Sequence, residues 1–149
     1  MKDIISKLIR LFREGYCTPQ ISKIAKKLGE PSTTIHYNIK KLEKEQIIKV
    51  YKAVFDYKKI NEGFCCFALI NLAPTEYVNP ENIARELAVH PEIESIDICT
   101  GDWELILKIR TKDQDEYYNL IKRVLSKKGV NKIKTLTSLK QLKTEFIIV

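Results

Sequence analysis

The sequence predicts an α+β protein with an N-terminal winged helix-turn-helix followed by a C-terminal ferredoxin-like βαββαβ sandwich. Three observations support this prediction. Apolar residues recur at helical spacing up to about residue 45, and alternating strand patterns separated by helices begin at Gly63. The positive charge is also unevenly distributed, because residues 1–60 hold 14 Lys or Arg against 6 Asp or Glu, while residues 61–149 hold 12 against 13. We therefore predict a helix-turn-helix domain over 1–50, an extended linker over 51–62 and a sandwich domain over 63–149.

Two helices are predicted at the N-terminus. The first ends before Gly15, and its apolar positions are Ile4, Ile5, Leu8, Ile9, Leu11 and Phe12. The second follows Thr18 and Pro19, which are expected to supply an N-cap hydroxyl and the first helical residue, and it ends at Gly29.

The third helix completes the helix-turn-helix. Pro31 prevents simple continuation of the second helix, and Ser32 is expected to cap the third, which runs to about Glu45. Its buried face is predicted to contain Ile35, Ile39 and Leu42. Two short helices joined by a tight glycine-containing turn have the geometry of this DNA-binding motif.

The opposite face of the third helix suits double-stranded DNA. Hydrogen-bonding side chains near the helix N-terminus suit base edges, and the lysines further along suit phosphates. The predicted DNA-binding residues are Ser32, Thr33, Thr34, His36, Tyr37, Lys40, Lys41 and Lys44. The alternative is a solvated amphipathic helix, which agrees less well with the preceding helix, the turn and the local positive charge.

The segment IIKVYKAVFDY, residues 47–57, is rich in β-branched and aromatic residues and is predicted to be extended. It would form a wing or a linker strand. The nearby lysines would either contact the DNA backbone or serve solubility; they are Lys49, Lys52, Lys58 and Lys59.

The C-terminal half alternates strands and helices. Strands are predicted over 63–74, 93–99, 103–110 and 132–143. One helix begins at Asn79-Pro80, and the other begins near Asp113, which forms a capping-box pattern with Glu116, and ends before Gly129. The order βαββαβ predicts an antiparallel sheet with both helices on one face.

The other face of this sheet needs a cover. The first strand is apolar on both faces, with Cys65, Phe67 and Leu69 on the side that the helices leave open. The same sheet of a second copy, related by a two-fold axis, is the simplest cover, so we predict a homodimer. The apolar C-terminal residues 146–149, FIIV, would also need burial.

Several other classes of protein do not fit the sequence. There is no Ser-His-Asp grouping, P-loop or dinucleotide fingerprint, so no enzyme activity and no cofactor are expected. The four cysteines lack zinc-motif spacing and are predicted to be reduced core thiols without metal. No apolar run approaches the ~20 residues that span a bilayer, and the charged N-terminus is unlike a signal peptide, so a cytoplasmic protein with no membrane partner is expected.

Nearly the whole chain resembles the Lrp/AsnC, or feast/famine, family of transcription regulators. The N-terminal resemblance covers Ile24-Ala25, Leu28-Gly29, Ser32, Ile35, Ile39, Leu42-Glu43 and Ile47-Ile48. The C-terminal resemblance covers Thr100-Gly101-Asp102 before a hydrophobic strand, and Gly129-Val130 leading to Thr135 and Thr137.

The resemblance implies dimers that assemble further through the sandwich domains, commonly to octamers, and a free amino acid bound between dimers. It places this effector against Gly101 and Asp102, with the hydroxyls of Thr135 and Thr137 nearby. The residues alone leave another interpretation open, because this turn is also an ordinary hairpin turn and threonine is an ordinary strand residue.

The sequence departs from the family pattern at three places. Asn38 replaces a usual arginine, Gln46 replaces a usual glycine, and Trp103-Glu104 replaces Tyr-Asp. The family's DNA preference and its effector identity therefore do not transfer to this chain. The alternative function is a sequence-tolerant, DNA-compacting protein of the same fold, which needs the lysines but no effector.

Overall fold

A computed structural model describes residues 2–145 and 147–148. The chain divides into two compact units, Met1–Phe55 and Asp56–Val149. The helical first unit and the sheet-containing second unit agree with the predicted α+β class.

The first unit contains three helices: α1 (Lys2–Arg13), α2 (Ile21–Leu28) and α3 (Ser32–Lys44). Gly29 ends α2 in the left-handed conformation, with φ of 70°, and its backbone N–H donates to the Ala25 carbonyl. This conformation, which glycine adopts at little cost, turns the chain toward α3. Ala25 in α2 and Ile35 in α3 are buried, so the predicted helix-turn-helix is present.

Both predicted N-caps in this unit are wrong. Thr18 does not cap α2, because the helix begins only at Ile21 and Gln20 occupies its N-cap position. Just before the helix, the Ile21 N–H donates a 3.1 Å hydrogen bond to the Pro19 carbonyl, which forms a tight turn. Ser32 is the first residue of α3 and makes no capping hydrogen bond. The N-cap position belongs to Pro31, whose φ of −58° and ψ of 139° provide the extended backbone that precedes a helix.

The predicted wing or linker strand is not a regular strand in the described chain. Within residues 47–63 the only β-pairing among described residues is a parallel bridge between Tyr16 and Tyr51. β-Branched residues favour an extended backbone, but a strand also needs a neighbour that supplies a hydrogen-bonding ladder. Gly15, with φ of 96°, permits the two chain segments joined by this bridge to approach each other closely, because a Cβ at position 15 would lie 2.1 Å from the Val50 side chain.

The second unit contains a four-stranded antiparallel sheet in the order β2-β3-β1-β4. Its elements are β1 (Phe64–Leu72), a 3-10 turn (Pro74–Glu76), α4 (Pro80–Ala88), β2 (Ile93–Ile98), β3 (Leu105–Thr111), α5 (Gln114–Leu120), a π-helical turn (Ile121–Leu125) and β4 (Val130–Thr137). This confirms the predicted βαββαβ order. The predicted last strand was too long, since residues after 137 contribute instead to a separate hairpin of β5 (Lys143–Thr144) and β6 (Ile147–Ile148).

The capping box at the start of α5 is confirmed in a shifted form. The Asp113 carboxylate accepts from the Glu116 N–H at 2.9 Å, and the Glu116 carboxylate accepts from the Lys112 N–H at 2.6 Å. Two backbone N–H groups near the helix start are thereby satisfied.

The core lies between one sheet face and the two helices. Alternate residues of β1 and β3 point into it, and Leu87 from α4 and Leu120 from α5 close it. The fully buried strand residues are Cys66, Ala68, Ile70, Leu72, Leu105, Leu107 and Ile109.

The other sheet face is only partly open in the single chain, because of the three β1 residues predicted there Phe67 is exposed, Leu69 is half-buried and Cys65 is buried. Phe67 and Leu136, which are paired across β1 and β4, are 37% and 47% exposed. The tail residues Ile147 and Ile148 are also exposed. Phe146 and Val149, which were expected to need burial too, lie outside the described residues.

A polar cluster covers one end of this open face. Glu94 accepts from Lys108 at 2.9 Å and from Arg110 at 3.0 Å, and the Arg110 guanidinium stacks 3.6 Å from the Tyr57 ring centroid. Gln141 accepts a further hydrogen bond from Arg110. Lys108 and Arg110 of the open face therefore share one carboxylate of the same chain, Glu94.

The described residues contain neither a group of three or more potential metal-ligating side chains nor a helix suited by length and apolarity to cross a membrane. All four cysteines are free thiols. Cys65 and Cys66 are buried, whereas Cys17 and Cys99 are only partly buried, so the prediction of core thiols holds for the adjacent pair.

Candidate nucleic-acid interface and sheet-end site

The exposed surface of α3 contains all eight residues predicted to bind DNA. Tyr37 is 70% exposed, while Ile35, two residues before it, is buried. The exposed set is Ser32, Thr33, Thr34, His36, Tyr37, Lys40, Lys41 and Lys44. The 13 residues of α3 extend about 20 Å at 1.5 Å per residue, a length that fits a major groove.

Two of the lysines on this surface are paired with carboxylates. Lys40 Nζ lies 2.7 Å from Glu43 Oε2, and Lys41 Nζ lies 3.9 Å from Glu45 Oε1. The hydrogen bond between Lys40 and Glu43 raises the pKa of the lysine and lowers that of the carboxyl. Lys40 is therefore a cation with a competing anion beside it.

Glu43 has a second partner in the segment that follows α3. The Tyr51 hydroxyl donates to Glu43 Oε1 at 3.1 Å. The pKa of Tyr51 is raised mainly by burial and secondly by this hydrogen bond. The phenol therefore remains protonated and acts as a donor at neutral pH. Glu43 consequently joins the end of α3 to the residue that forms the bridge with Tyr16.

Two of the departures from the family pattern have clear structural consequences. The Asn38 amide donates to the Thr34 carbonyl at 2.8 Å, so this side chain bonds to its own helix. Gln46 adopts φ of 57°, the left-handed conformation that explains why glycine is usual at this position.

The turn containing Gly101 and Asp102 is attached to the end of β1. Asn71 Nδ2 donates to the Asp102 carbonyl at 3.1 Å, and Glu104 Oε2 accepts from the Leu72 N–H at 2.8 Å. Asn131, at the start of β4, donates to Asn71 Oδ1 at 2.7 Å. These bonds hold the turn while both Gly101 and Asp102 remain exposed.

Thr135 and Thr137 do not join that turn within one chain. They pair with Ala68 and Cys66, three and five residues before Asn71 along β1, which corresponds to about 10 and 17 Å of strand. Thr135 also exchanges a hydrogen bond of 2.6 Å with the Tyr117 hydroxyl, whose pKa burial raises to about 12. The structure thus separates the predicted effector residues into two groups.

Sequence reasoning assigned no site role to Glu43, Tyr51 or Asn71. Glu43 lies seven residues after His36 and three after Lys40, which places the three side chains along one stripe of the helix. That spacing could have identified Glu43. No sequence pattern indicates that Tyr51 and Asn71 reach their partners, since both contacts depend on how the chain folds.

Comparisons with known proteins agree with this architecture. A family model described as the Lrp/AsnC ligand binding domain matches residues 65–148. An uncharacterized HTH-type transcriptional regulator of Pyrococcus furiosus is 34% identical over 145 residues, which cover 97% of this chain and 93% of the relative. The regulatory protein AsnC of Haemophilus influenzae is 27% identical over 115 residues, covering 77% of this chain and 75% of the relative.

Solved structures show the same fold. An AsnC family transcriptional regulator from Agrobacterium tumefaciens superposes with a TM-score of 0.76 at 23% identity, covering 93% of this chain and 90% of the other. A transcriptional regulator from Neisseria meningitidis, solved as an L-Met complex, superposes with a TM-score of 0.75 at 21% identity, covering 92% and 88%.

Proposed function

The chain belongs to the Lrp/AsnC family of HTH-type transcriptional regulators, and we propose that it contacts DNA through the exposed face of α3 and answers to a free amino acid at the turn containing Gly101. The DNA-binding proposal rests on the surface of α3. All eight predicted DNA-binding side chains are exposed on this helix, which also contacts α2 as in a helix-turn-helix.

The α3 surface divides its contacts by position. Thr33, Thr34 and Tyr37 lie in the first half of the helix, where hydrogen-bonding side chains meet base edges in a major groove. Lys41 and Lys44 lie in the last turn, where they meet phosphates. The first group supplies sequence discrimination, and the second supplies affinity for any duplex.

A second copy covers the open face of the sheet. Phe67 and Leu136 are exposed there in one chain, and a two-fold axis would place the same apolar patch of another chain against them. A dimer presents two copies of α3, so its operator is expected to be two-fold symmetric, with half-sites one helical turn or a multiple apart. Further assembly to an octamer through the sandwich domains is part of this proposal.

The effector proposal depends on the exposure and backbone of Gly101. A Cβ at this position would meet no atom within 4 Å among the described residues, so space is available beside the turn. Thr135 and Thr137 pair with β1 residues about 10 and 17 Å from Asn71. A site that contains these threonines as well as Gly101 and Asp102 therefore takes the threonines from another copy. The L-Met complex of the Neisseria regulator makes L-methionine the first amino acid to test.

The DNA assignment is tested by comparing duplexes selected from a random pool with unselected duplex. Tyr37→Ala is expected to lose more affinity for the selected operator than for random duplex. The double change Lys40→Ala with Lys41→Ala is expected to weaken both equally and to reduce the log-log salt slope by about 0.9 for each lost phosphate contact.

Equal losses for Tyr37→Ala on both duplexes would instead favour a sequence-tolerant, DNA-compacting protein. An unchanged salt slope in the lysine variant would remove Lys40 and Lys41 from the interface.

The effector is tested by adding each of the twenty amino acids and measuring the melting temperature and the assembly state. A ligand at 100 times its Kd stabilises the native protein by about 2.7 kcal/mol, which raises the melting temperature measurably. Gly101→Leu is expected to abolish that response while leaving DNA binding by the dimer. A melting temperature that none of the amino acids changes would contradict the effector proposal.

A further inference from the structure

We propose that Glu43 restrains DNA binding by competing with phosphate for Lys40. This inference rests on the proposed DNA-binding face of α3 and adds a residue that opposes binding. Glu43 is partly buried, with 29% of its side chain exposed, whereas 61% of the Lys40 side chain is exposed. The carboxylate is therefore the more constrained partner in the pair.

The position of Glu43 places its charge on the recognition surface. His36, Lys40 and Glu43 follow one another at spacings of four and three, so they form one stripe along α3. After the hydrogen bond and charge of Lys40 and the hydrogen bond from Tyr51, the charge of His36, the first residue of that stripe, also lowers the pKa of Glu43. A DNA strand close enough to contact Lys40 is consequently close enough to be repelled by Glu43.

Tyr51 keeps the carboxylate in place. One carboxylate oxygen of Glu43 accepts from Lys40 at 2.7 Å, and the other accepts from the Tyr51 hydroxyl at 3.1 Å. An exposed lysine-glutamate pair on a helix is usually mobile and contributes little. Here the second hydrogen bond fixes the acceptor, so Lys40 has a lasting alternative to a phosphate oxygen.

This competition has no sequence preference. Phosphate contacts are the same for every duplex, so restraint of Lys40 lowers affinity for the operator and for random DNA by the same factor. The pair Lys40 and Glu43 adds no net charge to the interface, whereas Lys40 without Glu43 would release about 0.9 counterion per phosphate contacted. Glu43 therefore sets how tightly the protein binds bulk DNA at a given salt concentration without changing which sequence it prefers.

The experiment is a double-mutant cycle on Lys40 and Glu43 in the full-length protein, with binding to operator and random duplex measured over a range of salt concentrations. Glu43→Gln keeps the shape and one acceptor oxygen but removes the charge. It is expected to tighten binding to both duplexes about three- to fivefold at low salt, and to steepen the log-log salt slope by up to about 0.9.

The decisive variant is Glu43→Gln in the Lys40→Ala background. If Glu43 acts by competing for Lys40, the gain in that background falls below about twofold. A gain of the same size with and without Lys40 would show a general charge effect and overturn the proposal, as would weaker binding by the single Glu43→Gln variant. Glu45→Gln is the matched control, because its carboxylate lies 3.9 Å from Lys41, and it is expected to gain less than Glu43→Gln.

The two proposals fail in different ways. If Lys40→Ala leaves affinity and salt slope unchanged, Lys40 is not in the interface, and both its DNA-binding role and the restraint by Glu43 are wrong. If Lys40→Ala weakens binding but Glu43→Gln does not strengthen it, the DNA-binding role stands and only the restraint is wrong.

Discussion

The two units of this protein use their residues in opposite ways. The sandwich buries a core of 13 hydrophobic residues, several with no exposed surface, whereas the described helix-turn-helix unit buries only Ala25 and Ile35 to that degree. In α1 the apolar residues Ile4 and Ile5 remain about 60% exposed. A unit of this size has little apolar surface to bury, so its stability is small. The sandwich therefore holds most of the buried core, and the helical unit holds the exposed α3 surface that we propose contacts DNA.

The ion pairs differ in the same way. Glu94 in the sandwich is hydrogen-bonded to Lys108 and Arg110, and the side chains of all three residues are no more than 20% exposed. Arg10 in α1 and Glu14, which directly follows that helix, lie 3.7 Å apart, and both side chains are more than half exposed. The first cluster is largely shielded from solvent, while the second contributes little because solvent screens it.

The largest effect is expected from a cavity in the sandwich core. Leu107→Ala removes a side chain with no exposed surface and is expected to lower the free energy of unfolding by about 3 kcal/mol. The single tryptophan, Trp103, lies in this unit, so its fluorescence reports urea unfolding of the sandwich. Ile35→Ala is the counterpart in the helical unit, and it is expected to leave the tryptophan transition in place. Equal shifts of that transition would show that the two units unfold together.

An intermediate effect is expected from the charge of Glu94. Burial opposes ionisation of this carboxyl, but the hydrogen bond from Lys108 and the charge of Arg110 outweigh it, so the pKa lies below its usual value of 4.5. A carboxyl with a lowered folded-state pKa stabilises the protein above the unfolded pKa, and this contribution is lost as the pH falls through the folded pKa.

Glu94→Gln is therefore expected to cost about 1–2 kcal/mol at pH 7, with a difference from the wild type that shrinks as the pH drops below 4.5. Urea titrations at several pH values measure both. The exposed pair provides the control, since Glu14→Gln is expected to change stability by less than about 0.5 kcal/mol. A Glu94 difference that stayed constant down to pH 3 would contradict the ionic explanation.

The smallest effect concerns the backbone after α3. Gln46 has φ of 57°, and glycine would remove the steric cost of that conformation. Gln46→Gly relieves the backbone strain but also removes the weak hydrogen bond from the Gln46 amide to the Glu43 carbonyl. Because the second effect offsets part of the first, we expect a net stabilisation of the helical unit of roughly 0.5 kcal/mol.

Gly29 offers the reverse experiment. Its φ is 70°, so Gly29→Ala should destabilise the same unit by about 1 kcal/mol even though a Cβ would meet no described atom within 4 Å. Helical circular dichroism during thermal unfolding measures both changes. A loss of stability in Gln46→Gly would show that the amide hydrogen bond outweighs the backbone strain.

The sequence predicted features that depend on local spacing. Ile35 was assigned correctly to the buried face of α3 because helical periodicity is a property of consecutive residues. The opposite faces of Cys65 and Cys66 follow from strand alternation in the same way, and Asp113 with Glu116 lies within a single turn. The caps at Thr18 and Ser32 failed because helix starts depend on φ and ψ at one residue, which composition does not specify.

By itself, therefore, the sequence determined the three N-terminal helices, the βαββαβ order of the sandwich, the charged face of α3 and the partly open apolar face of the sheet, since each is a periodic pattern along the chain. Only the tertiary structure decided that the carboxylate paired with Lys40 also accepts a hydrogen bond from Tyr51. It also decided that Thr135 pairs with Ala68 of β1, at a distance from the turn at Gly101. The physical reason is that the contact of Tyr51 with Glu43 and the pairing of Thr135 with β1 depend on how the chain between the partners folds, which a periodic pattern does not specify. Those contacts exist only after the chain has folded.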